Sequence, residues 1–321
     1  MTNWRPCAGP RAARSRAGLL RRLRTHFDAA GVLEVDTPAL SPYAVSDVRI
    51  ESFAIAESAV SRRPLYLHTS PEYCMKRLLA AGFPDIYAIC RVFRDGESGR
   101  QHQPEFTMIE WYRLGMGLDA IIEDSIAVIV AALGDAAPVG APDILDYGDA
   151  IQRTCGIDVH EADSAALAEA AGADAALRAA IGDARDDWLD LLVATRIQAT
   201  LPADRLTVLR HYPASQAALA RLCPADPRVA DRFEVFLGAV ELANGYVELT
   251  DAREQAERIG HDNDARERRG RTRRPVDQDL LDALAAGLPQ CAGVAMGLER
   301  LQMVHDSTDD IRDVITFVFD P

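Results

Sequence analysis

The stretch 87–113, YAICRVFRDGESGRQHQPEFTMIEWYR, constrains the fold more than any other part of the chain. Residues 87–93 and 106–112 are dense in aromatic and branched side chains, the composition of strands. Between them lie two glycines, a proline and charges of both signs. The pattern predicts a hairpin with a long charged turn. Ordering such a turn costs conformational entropy, which favours a functional loop over a plain connector; a solvated hairpin tip is the bland alternative. Arg94, closing the first strand, is suited to clamping an oxyanion with two parallel hydrogen bonds. Arg100 and His102 add donors for phosphate oxygens, and the ring of Phe106 offers a face for a base. These residue types suit a nucleoside triphosphate. No GxxxxGK[ST] occurs in the sequence, so it is not held by a P-loop.

A second informative stretch is RFEVFLGAVELANGYVEL, beginning at Arg232. Gly238-Ala239 fits a two-residue type II′ turn with glycine first, which pairs Phe236 with Glu241. Glu234 then lies on the face of Glu241, diagonally and about 7–8 Å away. Two carboxylates on one face repel unless a cation sits between them, the arrangement expected for Mg²⁺. The alternative is a pair of exposed strand glutamates. Glu248 falls seven residues after Glu241, on the opposite face by simple alternation. A bulge at Asn244-Gly245 would return it to the same side.

The rest of the chain sets limits. A length of 321 residues accommodates one large domain or two, and 48% hydrophobic content supplies a core. A net charge of −14 disfavours a broad nucleic-acid surface. Six cysteines at 7, 74, 90, 155, 223 and 291 form no CxxC, which suits a reducing cytoplasm better than disulfides or zinc. No apolar run reaches 18 residues, so no membrane span is expected. The first 24 residues hold seven arginines and no acid. A transit peptide is one reading; Leu19, Leu20, Leu23 and Phe27 at helical spacing favour an amphipathic first helix. Glu72, in TSPEYCMKRL at 69–78, falls near a helix start, where it would compensate the helix dipole. From about 115 to 201 the sequence is alanine-rich, acidic and helical in period, with Asp186, Asp187 and Asp190 expected on a solvated face. The basic run RERRGRTRR at 266–274 reads either as a solvated loop or as a docking patch for an acidic partner.

Five ordered segments carry a resemblance. FRDGESGRQHQPEF at 93–106 resembles motif 2 of the class II aminoacyl-tRNA synthetases, GVAMGLERL at 293–301 their motif 3, and GVLEVDTPAL at 31–40 their motif 1. With TSPEYCMKRL and ELANGYVELTDAREQ at 241–255, the chain is similar to the lysyl branch. About thirty residues precede Gly31, where lysyl-tRNA synthetases carry an anticodon-reading barrel. The resemblance is therefore strongest to the short paralogues that lysylate elongation factor P.

The resemblance implies an α+β fold: one class II catalytic domain over 1–321, an antiparallel sheet flanked by helices, with a helical insertion at about 115–201. It implies a cytoplasmic homodimer through the segment around Pro38, ATP and Mg²⁺ as requirements, and no tRNA binding. Lysine, preferably (R)-β-lysine, would be activated as an adenylate and passed to a lysine of elongation factor P. Arg94 would bridge the lysine carboxylate and the α-phosphate, and Arg300 would lie over the adenine. Asp95, Gly96, Glu97, His102, Gln103, Phe106, Glu241, Leu242 and Gly297 would complete the ATP site, with metal on Glu234 and Glu241. Ser70, Pro71, Asn244 and Ala295 would line the lysine pocket. Glu72 and Glu110 would take the near ammonium, Glu248 and Tyr112 the far one. Three departures stand out. Gly96 replaces the family's glutamate, with Glu97 one place later, and Gln103 stands where asparagine is common. Ala295 replaces the glycine of lysyl-tRNA synthetases, and its methyl is expected to disfavour α-lysine. The rivals are a truncated synthetase that charges a tRNA and a non-catalytic sensor of lysine or ATP.

Overall fold

A computed structural model describes residues 4–319. Its centre is an eight-stranded sheet. In chain order the strands are β1 (Leu33–Glu34), β2 (Ile86–Phe93), β3 (Glu105–Leu114), β4 (Asp143–Asp146), β5 (Leu206–Arg210), β6 (Arg232–Leu237), β7 (Val240–Val247) and β8 (Cys291–Gly297). They lie side by side as β1-β2-β3-β8-β7-β6-β5-β4. The expected hairpin is β2 and β3, in register from Ile86 opposite Tyr112 to Phe93 opposite Glu105. The six inner strands are antiparallel, whereas the edge strands β1 and β4 run parallel to their neighbours.

One face of the sheet carries the core. Ile109 and Trp111 of β3 point into it, with Val294 and Met296 of β8, and meet two helices. The first is Pro10–Ala29, which buries Leu19, Leu23 and Phe27 as its spacing predicts. The second, Leu118–Leu133, buries Ile121, Ile122, Val128 and Ile129 in the same core. Within 115–201, then, this helix belongs to the main core and 143–146 to the sheet edge. The later helices enclose a second core, in which Tyr147, Trp188 and Leu192 pack on Leu209 and Phe236 of the sheet. Among the described residues no helix is long and apolar enough to cross a membrane.

Two charge assignments need correction. Asp187 and Asp190 do not face only solvent: Arg49 lies 3.3 and 2.7 Å from them, and Arg269 is 2.9 Å from Asp187. Asp186 accepts from Ser215 at 2.6 Å. The basic run divides: Arg266 and Arg274 are drawn inward, while Arg268, Arg269, Arg271 and Arg273 stay exposed. Arg266, in the last turn of the helix Ala252–Arg268, is 1% exposed and donates to Asp47 O and Glu51 Oε2. Arg274 also pairs with Glu51, while Arg273 pairs with Asp264 and Glu267. Arg271 donates to Val48 O. Arg266, Arg271 and Arg274 fasten residues 47–51 of the 45–51 segment, partners too far away in sequence for local charge counting to find.

Candidate active site

The opposite face of β3, β8 and β7 carries the chemistry. Met108, Glu110 and Tyr112 alternate with the core residues of β3, so six consecutive buried positions divide between core and site. Ala295 stands between Glu110 on one side and Asn244 on the other. Gly293 sits opposite Tyr112 and Tyr246. A Cβ on Gly293 would come within 2.5 Å of both Glu248 Oε1 and Tyr112 Cε1. Its glycine is therefore required by close approach and leaves room for those two side chains to flank it.

The hairpin of β6 and β7 turns as its sequence predicts. Gly238 has φ +55°, Ala239 does not have positive φ, and Phe236 faces Glu241. One extra residue does interrupt the ladder, but it is Leu242 and not Asn244-Gly245: Val235 faces Ala243 while Phe236 faces Glu241. That single insertion puts Glu241, Asn244, Tyr246 and Glu248 on the site face. Gly245 serves another purpose. A Cβ there would lie 2.7 Å from the Phe233 ring and 2.9 Å from Gly293 O.

Two adjoining cavities result. Arg94, Met108, Asn244 and Ala295 line both, together with Ile50 from the fastened 45–51 segment. The nucleotide-sized cavity takes Glu97, His102, Gln103, Phe106, Glu241, Leu242, Gly297 and Arg300. Arg300 donates to Glu241 Oε2 at 3.1 Å and lies 2.6 Å from His102 Nε2. The Arg94 guanidinium stands 5.1 Å above the Phe106 ring, and its Nε is buried without a partner. Asp95 and Gly96 line neither cavity. Gly96 has φ +82°, a turn conformation that carries Glu97 into the wall, consistent with a one-place shift. Gln103 lines the cavity and accepts from Phe319 N at 2.8 Å.

Glu234 lies beside this cavity, not in its wall, and is 2.7 Å from Arg232. Burial and the charge of Glu241 push its carboxyl up to about 7. Two neighbouring carboxylates, Glu241 on the cavity wall and Glu234 beside it, are a donor set that fits a hard divalent cation. A second candidate, His211 with Cys223 and Asp231, has its ligand atoms within 4.8 Å. Arg221 already holds Asp231 at 2.7 Å and Asp146 holds His211 at 2.6 Å, so ion pairing accounts for that group.

The other cavity is acidic. Ser70, Glu72, Glu110, Tyr112, Asn244 and Glu248 line it, and Pro71 caps the helix Glu72–Ala80 from outside the wall. Glu110 accepts from the Ser70 hydroxyl at 2.6 Å and from the Tyr112 hydroxyl at 2.8 Å. Tyr246 donates to Glu72 at 2.5 Å. Sequence reasoning overlooked Tyr246 and Lys76, although Lys76 stands four residues after Glu72, the spacing of a helical ion pair. Lys76 Nζ lies 2.7 Å from Glu72 and 2.6 Å from Glu248. The second contact is off the hydrogen-bond direction, so both Glu248 oxygens are buried without a directed donor. Burial pushes the Glu248 carboxyl up to about 8 despite Lys76, and that of Glu110 to about 7.

These shifts have a sign. A carboxyl raised on folding stabilises the protein below the ordinary carboxylate range and loses that contribution as pH rises through its folded value. The melting temperature of the ligand-free protein should therefore fall from about pH 5 to about pH 8, and a diammonium ligand should reverse the loss by favouring ionised acids. The matching expectation is that the KM for such a ligand rises as pH falls below about 7. A pH series of melting curves with and without lysine checks both; a ligand effect independent of pH would contradict the assignment.

Comparison with known proteins places this geometry. Residues 10–320 match the family described as tRNA synthetases class II (D, K and N). The elongation factor P–(R)-β-lysine ligase of Sodalis glossinidius (strain morsitans) is 42% identical over 319 residues, 98% of this chain and 97% of the relative. The ligase of the same description from Salmonella paratyphi B is 42% identical over 321 residues, covering 99% and 98%. The match spans the sheet, both cavities and the helices between them, and the chain belongs to the class II tRNA synthetase family of the D, K and N type.

Proposed function

We propose that the chain activates lysine, with (R)-β-lysine preferred, as an adenylate and transfers it to a lysine side chain of elongation factor P. The observation that carries the reading is Arg94: one guanidinium, with an unpartnered buried Nε, shared by a nucleotide-sized cavity and a cavity lined by five carboxylates, Glu72, Glu110 and Glu248 among them. The names of the full-length relatives support the acceptor and the β-lysine preference.

The chemistry needs no covalent enzyme intermediate. A lysine carboxylate oxygen attacks the α-phosphorus of ATP, and pyrophosphate leaves. The acceptor amine then attacks the adenylate carbonyl, and AMP leaves. The chain's contribution is positioning and neutralisation of charge. Arg94 bridges the carboxylate and the α-phosphate. Arg300 and His102 face the outer phosphates, with Phe106 beneath the base. Glu234 and Glu241 would hold Mg²⁺, which neutralises phosphate charge when bound. Glu72, Glu110, Tyr112 and Glu248 take the two ammonium groups. The same reading includes a cytoplasmic homodimer through the segment around Pro38 and no tRNA substrate. Lysine-dependent, Mg²⁺-dependent ATP–pyrophosphate exchange without tRNA tests the activation step; its absence with both lysines would end the reading.

Ala295 refines the choice of lysine. Its methyl stands between Glu110 and Asn244 on the wall common to both cavities. A methyl in a tight pocket is worth about 1–3 kcal/mol, or about 10–200-fold in discrimination. Ala295→Gly should raise kcat/KM for α-lysine relative to β-lysine within that range. An unchanged ratio would remove this methyl as the discriminator.

A further inference from the structure

Lys76 is a lysine where a helix would be expected to bury an apolar residue. It is 1% exposed, between Met75 and Leu79, which pack with Leu280 and Leu284 and hold the helix in place. Its ammonium touches Glu72 at 2.7 Å and Glu248 at 2.6 Å and lies 5.6 Å from the Tyr246 ring. A buried ion pair costs desolvation on both sides, so stability alone is a weak reason to keep one. The carboxylates it touches are two of the five that line the amino-acid cavity, with Asp47, Glu110 and Asp262.

We infer that Lys76 is a positioning residue for that cavity: its ammonium holds Glu72 and Glu248, two of the glutamates proposed to take the ammonium groups of a diamino acid, in their ionised form. The inference rests on the proposed lysine-activating function. Lys76 holds Glu72 and Glu248 apart and oriented, so that an incoming ammonium meets carboxylates already aimed at it. Without it, the buried glutamates Glu72, Glu110 and Glu248 would resist ionisation still more, and the cavity would take up protons in place of part of its ligand. The groups facing this cluster are Tyr73 on the same helix, Glu110 and Tyr112 from β3, Tyr246 and Glu248 from β7 and its end, and Cys291 from β8, with Asp47 and Asp262 further along the wall. Lys76 is the cation among them, and Arg94 stands at the other end of the cavity.

Two variants separate charge from packing. Lys76→Met keeps length and removes charge; Lys76→Arg keeps charge. Melting curves of the ligand-free proteins at about pH 5 and about pH 8, with lysine KM from pyrophosphate exchange, supply the readouts. Lys76→Met should melt near the unsubstituted protein at the acid end, where the carboxyls are protonated, and fall well behind at the alkaline end. Its lysine KM should rise at least about tenfold, with Lys76→Arg lying between. A melting deficit equal at both pH values, failure to fold at both, or an unchanged lysine KM would overturn the inference and leave Lys76 a packing residue. If the unsubstituted protein shows no lysine-dependent exchange, the function falls separately, and the melting curves still decide whether Lys76 holds these carboxylates ionised.

Discussion

Replacing Arg94 by alanine should reduce lysine-dependent ATP–pyrophosphate exchange to background, a loss on the order of 10²–10³-fold or more. The size follows from position. Arg94 lines both cavities, and the side chains around their junction, Met108, Asn244, Ala295 and Ile50, bring no second cation to the α-phosphate. Folding should be little affected, because the guanidinium's ion pair is a 3.5 Å contact with Glu97, three residues along, on a part-exposed loop. Pairs of that kind contribute about 0–1 kcal/mol. Exchange and melting temperature measured on one preparation check the prediction. Exchange within tenfold of the unsubstituted protein would mean that the two cavities do not meet at this residue.

Glu248→Gln should have the next largest effect, on lysine alone. Glu248 is 2% exposed, and neither of its oxygens receives a directed hydrogen bond within the protein. Removing one partner of a buried charge pair costs about 3–5 kcal/mol, so the lysine KM should rise by two orders of magnitude or more while that for ATP stays put. Glutamine resembles the protonated acid, and burial already pushes this carboxyl up to about 8. The substitution should therefore leave the ligand-free fold nearly as stable at neutral pH. Calorimetric titration of lysine and of ATP into the variant separates the two affinities. Unchanged lysine binding would place the far ammonium elsewhere.

The sequence made the β2–β3 hairpin legible because strand composition and turn residues lie next to each other in the chain. The β6–β7 turn was legible for the same reason, down to Phe236 facing Glu241. The bulge was legible in number and not in place. Gly245 suggested a location, but its missing Cβ makes room for Phe233, and the extra residue is Leu242. A glycine signals that something is close or strained without saying which. Glu72 at a helix start was also readable; its partner Tyr246, 174 residues away, was not. The arginines of 266–274 show the same limit. Their partners Glu51 and Asp187 come from distant segments, and only the folded chain brings them within reach.

The central claim is transfer of an activated lysyl group to a protein. Its most direct test is the intact mass of elongation factor P after incubation with this protein, ATP, Mg²⁺ and either α-lysine or (R)-β-lysine, with a tRNA in a parallel reaction. The account predicts that elongation factor P gains the mass of one lysyl residue, more rapidly with β-lysine, and that the tRNA stays uncharged. A charged tRNA beside unmodified elongation factor P, or an adenylate that reaches neither acceptor, would contradict it.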